Sequence, residues 1–120
     1  MTSYVPLRVH SDLSLGYGAS STKSIAKRAG KIAAPACALT DMVSMSGCYK
    51  FSGIAASEGV QPIIGCQFFL RKGDVEGDVI LLAKSNEGYI NINHILEMAF
   101  APKIGKNKAE YVPDIPILDV

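Results

Sequence analysis

The chain has 120 residues, 48% of them hydrophobic and 19% charged, enough apolar content for one modest core and too much for a disordered chain. Twelve Lys and Arg against eleven Asp and Glu leave a formal charge of +1, which excludes a strongly basic nucleic-acid module and an acidic interaction tail. With no apolar run near the ~20 residues that span a bilayer, and no basic start or long apolar stretch of a signal peptide, the composition reads as a soluble, cytoplasmic piece.

Val5, Leu7 and Val9 alternate with Pro6, Arg8 and His10, the period of a strand with one covered side. Residues 11–21, rich in serine and holding Gly16 and Gly18, read as a loop. Thr22 is placed to cap a helix with Ile25, Ala29 and Ile32 turned inward, ended by Pro35. The apolar run 36–40 has the character of a strand covered on both faces. After a loop over 41–46, Cys48, Phe51, Ile54 and Ala55 mark a helix that Gly59 closes. A buried strand is predicted over Pro62–Leu70, a solvated turn over Lys72–Asp78, and a strand over Val79–Ala83. Asn86 is placed to cap a last helix with Tyr89, Ile92, Leu96 and Ala99 on its core stripe. The order strand–helix–strand–helix–strand–strand–helix implies an α/β fold with a mainly parallel sheet. Residues 1–101 read as the amino-terminal part of a domain, and 102–120, with three prolines and the solvated lysines Lys103, Lys106 and Lys108, as an irregular tail leading into its remainder.

So few helices cannot cover both faces of a parallel sheet. The chain therefore reads as part of a larger α/β domain, with an open sheet edge that invites pairing with a second copy. Cys37, Cys48 and Cys66 form no paired zinc spacing and are expected as buried apolar residues in a reducing compartment. His94 is expected on the surface. Gly16-Tyr17-Gly18 lacks the third glycine of a dinucleotide loop, and no nucleophile neighbours either histidine.

Ligands in parallel α/β folds sit at the carboxyl ends of strands. Those ends are Arg8-Val9-His10-Ser11-Asp12, Thr40-Asp41-Met42 and Gly65-Cys66-Gln67, where polar groups follow directly on apolar runs. The strings Leu-Arg-Val-His-Ser-Asp (7–12), Ala-Leu-Thr-Asp (38–41) and Pro-Ile-Ile-Gly-Cys (62–66) resemble a polymerase-and-histidinol-phosphatase (PHP) domain. More narrowly, with Leu-Leu-Ala-Lys-Ser-Asn-Glu-Gly-Tyr-Ile-Asn (81–91), they resemble the amino-terminal PHP domains of bacterial DNA polymerase III alpha subunits. The resemblance covers nearly the whole chain, and it implies part of a distorted seven-stranded (β/α) barrel.

Active members hold a metal cluster through a His-x-His, a loop ligand, a Thr-Asp-His and a Gly-Cys-Glu. Carried over, the first histidine is Arg8 here and only His10 remains; the loop ligand falls at Tyr17. Thr40 and Asp41 are kept, but Met42 replaces the next histidine and Gln67 replaces the glutamate. A fixed guanidinium repels a divalent ion, a thioether suits hard cations poorly, and an amide brings no charge. The resemblance with these changes implies a degenerate site with no metal and no catalytic residue in this stretch. Arg8 is expected to take the vacated cation position and pair with Asp41, or alternatively Asp12.

By family, the parent would be a DNA-directed DNA polymerase, a nucleotidyltransferase of DNA replication with magnesium at a distant active site. Its partners would include the proofreading exonuclease subunit and other replisome subunits, with DNA met through the parent and no membrane contact. The competing expectation is a metal-dependent PHP phosphoesterase: a pyrophosphatase, a 3'-5' exonuclease or a phosphatase.

Overall fold

A computed structural model describes residues 3–100 and 117–119. In chain order it contains α1 (Thr22–Lys31), β1 (Ala36–Met42), α2 (Cys48–Ser57), β2 (Gln61–Lys72), β3 (Val75–Leu82), α3 (Asn86–Phe100) and β4 (Ile117–Asp119). The long strand β2 organises the sheet. β1 runs parallel to its first half, from Ala36 opposite Gln61 to Met42 opposite Gln67. β4 continues along that same edge, parallel, with Phe69 opposite Ile117. β3 folds back antiparallel on the other edge, from Lys72 opposite Val75 to Gly65 opposite Leu82. The result is a mixed sheet, part of a barrel wall that does not close among the described residues.

Two apolar clusters fix this layout. Ala26, Ala29, Cys37, Leu39, Phe51, Ala55 and Val60 are buried between α1, α2 and β1. Val43, Cys66, Phe68 and Ile92 are buried where α3 covers β2 and β3. On α3 the buried stripe runs through Ile92, with Ile95, Leu96 and Ala99 packed partly against it, while Tyr89 is 42% exposed. The opposite sheet face carries Met42, Gln67 and Ile80, adjacent in register, and no helix among the described residues packs on it.

Several expectations shift. The stretch from Val5 to His10 is extended beside β1 but forms no regular strand. Its carbonyls at Pro6 and Val9 accept from Ala38 and Thr40 N–H. Those acceptors are three residues apart where a parallel ladder needs two. The Val9 N–H is diverted to the Thr40 hydroxyl at 2.9 Å, so the ladder falls out of step. Both helix caps sit one residue earlier than expected, and the expected caps Thr22 and Asn86 are the first helical residues. Ser21 accepts from Ser24 N–H ahead of α1, and the Ser85 hydroxyl accepts from Gly88 N–H ahead of α3. Thr22, Ala26 and Ala29 form the buried side of α1, whereas Ile32 lies past its end and is 47% exposed.

The solvated turn expected over Lys72–Asp78 contracts to Gly73 and Asp74, with Gly73 at φ +61°, and β3 starts at Val75. β4 lies inside the stretch expected as an irregular tail, and Lys103, Lys106 and Lys108 lie outside the described residues. The three cysteines are buried and free, as their spacing suggests. His94 is on the surface, 3.7 Å from Glu97 one turn on.

Candidate functional site

The carboxyl end of β1, the middle of β2 where Gln67 lies opposite Met42, the segment before α1 and the loop 11–20 meet beside the sheet. Two polar assemblies lie there, one centred on Asp41 and one on Gln67.

The first is centred on Asp41, the second-last residue of β1 and only 1% exposed. Its Oδ1 accepts from Ser11 N–H at 2.6 Å and from the Ser14 hydroxyl at 2.6 Å. Its Oδ2 accepts from the Ser11 hydroxyl at 2.8 Å. Ser14 Oγ in turn accepts from Met42 N–H at 2.9 Å. Ser11 and Ser14 are themselves buried, so the carboxylate is solvated by loop donors in place of water. That arrangement offsets the cost of burying its charge without a cation. Beyond Met42 the chain turns through Val43, at φ +46°, an uncommon conformation for a β-branched residue. Val43 N–H donates to the Gln67 carbonyl at 2.8 Å, which anchors that turn to β2.

The second assembly joins His10, Gln67, Asp78 and Arg8. Gln67 is 1% exposed. Its Oε1 is 2.7 Å from His10 Nε2, and its amide nitrogen donates to Asp78 Oδ2. Arg8 Nη2 approaches the same Asp78 oxygen at 3.9 Å. The Tyr17 ring meets His10 edge-on at 6.1 Å and leans on Phe69 at 6.5 Å, closing the group from the loop side. Gly18 lets the loop lie this close, since a Cβ there would sit 2.2 Å from the Ser11 carbonyl oxygen.

The positions singled out from sequence are thus gathered around the carboxyl end of β1, with two corrections. Gln67, expected at a strand end, lies in the middle of β2, which runs on to Lys72. Arg8 pairs with Asp78, not with Asp41 or Asp12. Asp41 is buried and already accepts three hydrogen bonds from Ser11 and Ser14, whereas Arg8, 63% exposed at its side chain, stays at the rim. An exposed pair at this distance contributes little energy, so Arg8 is not a buried replacement for a cation. Met42 brings its thioether to the same end but accepts no hydrogen bond there among those described.

Asp78 was missed because its segment reads as solvated turn. A signal existed: Gly73-Asp74 is a two-residue hairpin sequence. Folding β3 back from it puts Asp78 opposite Phe69, on the same face as Gln67.

The donor set does not fit a metal cluster. Among the described residues, no three His, Cys, Asp or Glu side chains gather in a way that could hold a metal ion. His10 and Gln67 are bonded to each other, and both Asp41 oxygens are taken. Burial pushes Cys48 up to about 11 and Cys66 to about 12, with the nearby Asp41 charge adding a smaller push to each, so both stay protonated.

The PHP domain family model matches residues 6–116, and the chain belongs to that family. It is 38% identical over 100 residues to the DNA polymerase III subunit alpha of Vibrio cholerae, and 40% identical over 100 residues to that of Pasteurella multocida. The Escherichia coli K12 subunit is 35% identical over the same length. These alignments cover 81% of the chain and 9% of each relative, so the chain spans about a tenth of their length.

Two solved structures share the fold. An amidohydrolase from Chromobacterium violaceum, solved with bound sulfate and no metal, superposes with a TM-score of 0.62 at 22% identity, over 76% of this chain and 32% of that one. A protein described as a metal-dependent phosphoesterase from Bifidobacterium adolescentis superposes with a TM-score of 0.67 at 16% identity, over 86% and 35%.

Proposed function

We propose that this PHP-family chain belongs to the catalytic alpha subunit of a bacterial replicative DNA polymerase and serves it as a structural, partner-docking module without hydrolytic activity of its own. One observation carries the reading: the side chains gathered around the end of β1 satisfy one another. His10 is bonded to Gln67, Gln67 to Asp78, and Asp41 to Ser11 and Ser14. A hydrolase of this family needs open ligands that gather divalent ions and activate water. Here those positions cross-link the amino-terminal segment to the sheet. The likeness to alpha subunits over 81% of the chain supplies the replicative setting.

On this reading nucleotidyl transfer, with its magnesium ions, belongs to other parts of the subunit, and the setting is cytoplasmic. Among the described residues no helix is long and apolar enough to cross a membrane. The proofreading exonuclease subunit is the partner to test first. A complex between the alpha subunit carrying this sequence and that exonuclease subunit, weakened by surface substitutions on this domain alone, is the expected result. Complex formation that is indifferent to removal of the domain would contradict the docking role.

The second reading is a metal-dependent phosphoesterase, supported by the retention of His10 and Asp41 at ligand-like positions. Manganese-dependent hydrolysis of pyrophosphate or a phosphate monoester, abolished by His10→Ala, would establish it in place of the first.

A further inference from the structure

The contacts around Gln67 fix where a proton sits as well as where side chains lie. A carboxylate only accepts hydrogen bonds. The end of the Gln67 amide that meets Asp78 is therefore its NH2 group, which donates to Asp78 Oδ2. That leaves the carbonyl oxygen, Oε1, on the His10 side, 2.7 Å from Nε2. A carbonyl oxygen also only accepts, so His10 Nε2 must supply the hydrogen.

We propose that Asp78 and Gln67 form a clamp that holds His10 with its proton on Nε2, so that the ring nitrogen turned toward β2 has no lone pair to offer a metal ion. Gln67 and Asp78 are positioning residues in this scheme, and Nδ1 is the one acceptor left on the neutral ring. The clamp is polarised in one direction only. Turning the Gln67 amide over would set its carbonyl against the Asp78 carboxylate and its NH2 against the Nε2 hydrogen, losing both bonds together. Gln67 is 1% exposed, so water does not replace the bonds its amide would lose, while the Asp78 side chain, 48% exposed, keeps its own hydration. The solvent-facing Arg8, 3.9 Å from the shared Asp78 oxygen, adds a weak bias that keeps this carboxylate in place.

The inference rests on the metal-free reading and deepens it: the site blocks its remaining imidazole in addition to lacking ligands. It also reaches a residue, Asp78, that has no ligand-like position in the family pattern.

Long-range proton–nitrogen correlation spectra of the 120-residue chain at neutral pH read the tautomer directly. Wild type is expected to show a protonated Nε2 and an unprotonated Nδ1 on His10. Asp78→Lys replaces an acceptor with a donor, which turns the Gln67 amide over and moves the His10 proton to Nδ1. Asp78→Ala removes the director, and a mixture of tautomers is expected, with amide dispersion reporting that each variant is folded.

A wild-type His10 protonated at Nδ1 overturns the clamp, even if neither variant folds. So does a tautomer unchanged in both folded variants. A Zn2+ titration separates the two levels. Saturable zinc binding at Nδ1 would sink the metal-free reading and leave the clamp standing, whereas binding at Nε2 would sink both.

Discussion

Asp41→Ala tests the assembly that ties the loop 11–20 to β1. The carboxylate accepts three hydrogen bonds, from Ser11 N–H, the Ser11 hydroxyl and the Ser14 hydroxyl, at 2.6–2.8 Å, with all three residues buried. Hydrogen bonds to a charged group contribute about 1.5–3 kcal/mol each, and a buried donor left alone costs a similar amount. The two hydroxyls can turn toward other acceptors, but the Ser11 N–H cannot. The expected loss is therefore about 3–6 kcal/mol, below the simple sum and still a large share of a small domain's stability. Asp41→Asn keeps one oxygen for Ser11 N–H and Ser14, and lets the Ser11 hydroxyl accept from the new amide. It should cost about 1–2 kcal/mol. Urea denaturation followed by circular dichroism reads both, and a midpoint lowered by about 1–3 M is expected for Asp41→Ala. A double-mutant cycle with Ser14→Ala should give a coupling of about 1–2 kcal/mol. An Asp41→Ala variant within about 0.5 kcal/mol of wild type, or strict additivity with Ser14→Ala, would refute the reasoning.

Gly18→Ala forces a Cβ to within 2.2 Å of the Ser11 carbonyl oxygen, so the loop must move away from the amino-terminal segment. A loss of about 1–3 kcal/mol is expected, together with changed ring shifts for Tyr17 and His10; unchanged spectra would contradict the packing. Arg8→Ala breaks only an exposed 3.9 Å contact with Asp78, and a change below about 1 kcal/mol in denaturant midpoint is expected, a larger loss counting against its rim position. The cysteines give a pH dependence of definite sign. In the unfolded chain their thiols ionise near 9.0, whereas Cys48 and Cys66 remain protonated in the fold to about 11 and about 12. Their contribution is whole below pH 9 and declines as pH rises through the 9–12 window, by at most about 1.4 kcal/mol per pH unit for each thiol. Cys66→Ala should show a shallower decline than wild type in urea titrations across that window; parallel curves would rule out the buried-thiol account.

Much of the fold is legible in single residues. The apolar run of β1 is buried through its middle, and Gly59 sits past the end of α2 at φ +73°. The inward stripe of α3 emerges around Ile92. The failures have particular causes. The alternation of residues 5–10 is real, but a serviceable strand pattern does not show that Thr40 takes the Val9 N–H with its side chain. Composition around residues 72–78 is that of a turn because the first half of β3 is solvent-exposed, so the pairing partner had to come from β2. Ser21 and Ser85 cap their helices ahead of residues that are also good caps, a one-residue ambiguity that local chemistry does not resolve.

The site divides the same way. His10, Asp41 and Gln67 are singled out by polar character beside apolar runs, and the structure gathers them around the end of β1, Gln67 from the middle of β2. Which carboxylate Arg8 meets depends on the hairpin register that delivers Asp78, a long-range fact. Ser11 and Ser14 read only as loop residues, yet they enclose Asp41. A serine pair three residues apart acquires that meaning only beside a buried acidic strand end.

The central claim is that the polar groups around the end of β1 are closed by their own hydrogen bonds and hold no divalent cluster. Elemental analysis of the purified chain after equilibration with excess manganese or zinc and removal of free metal tests it most directly. The account requires a substoichiometric metal content that His10→Ala leaves unchanged. One or more equivalents of tightly held metal, lost in His10→Ala, would contradict it.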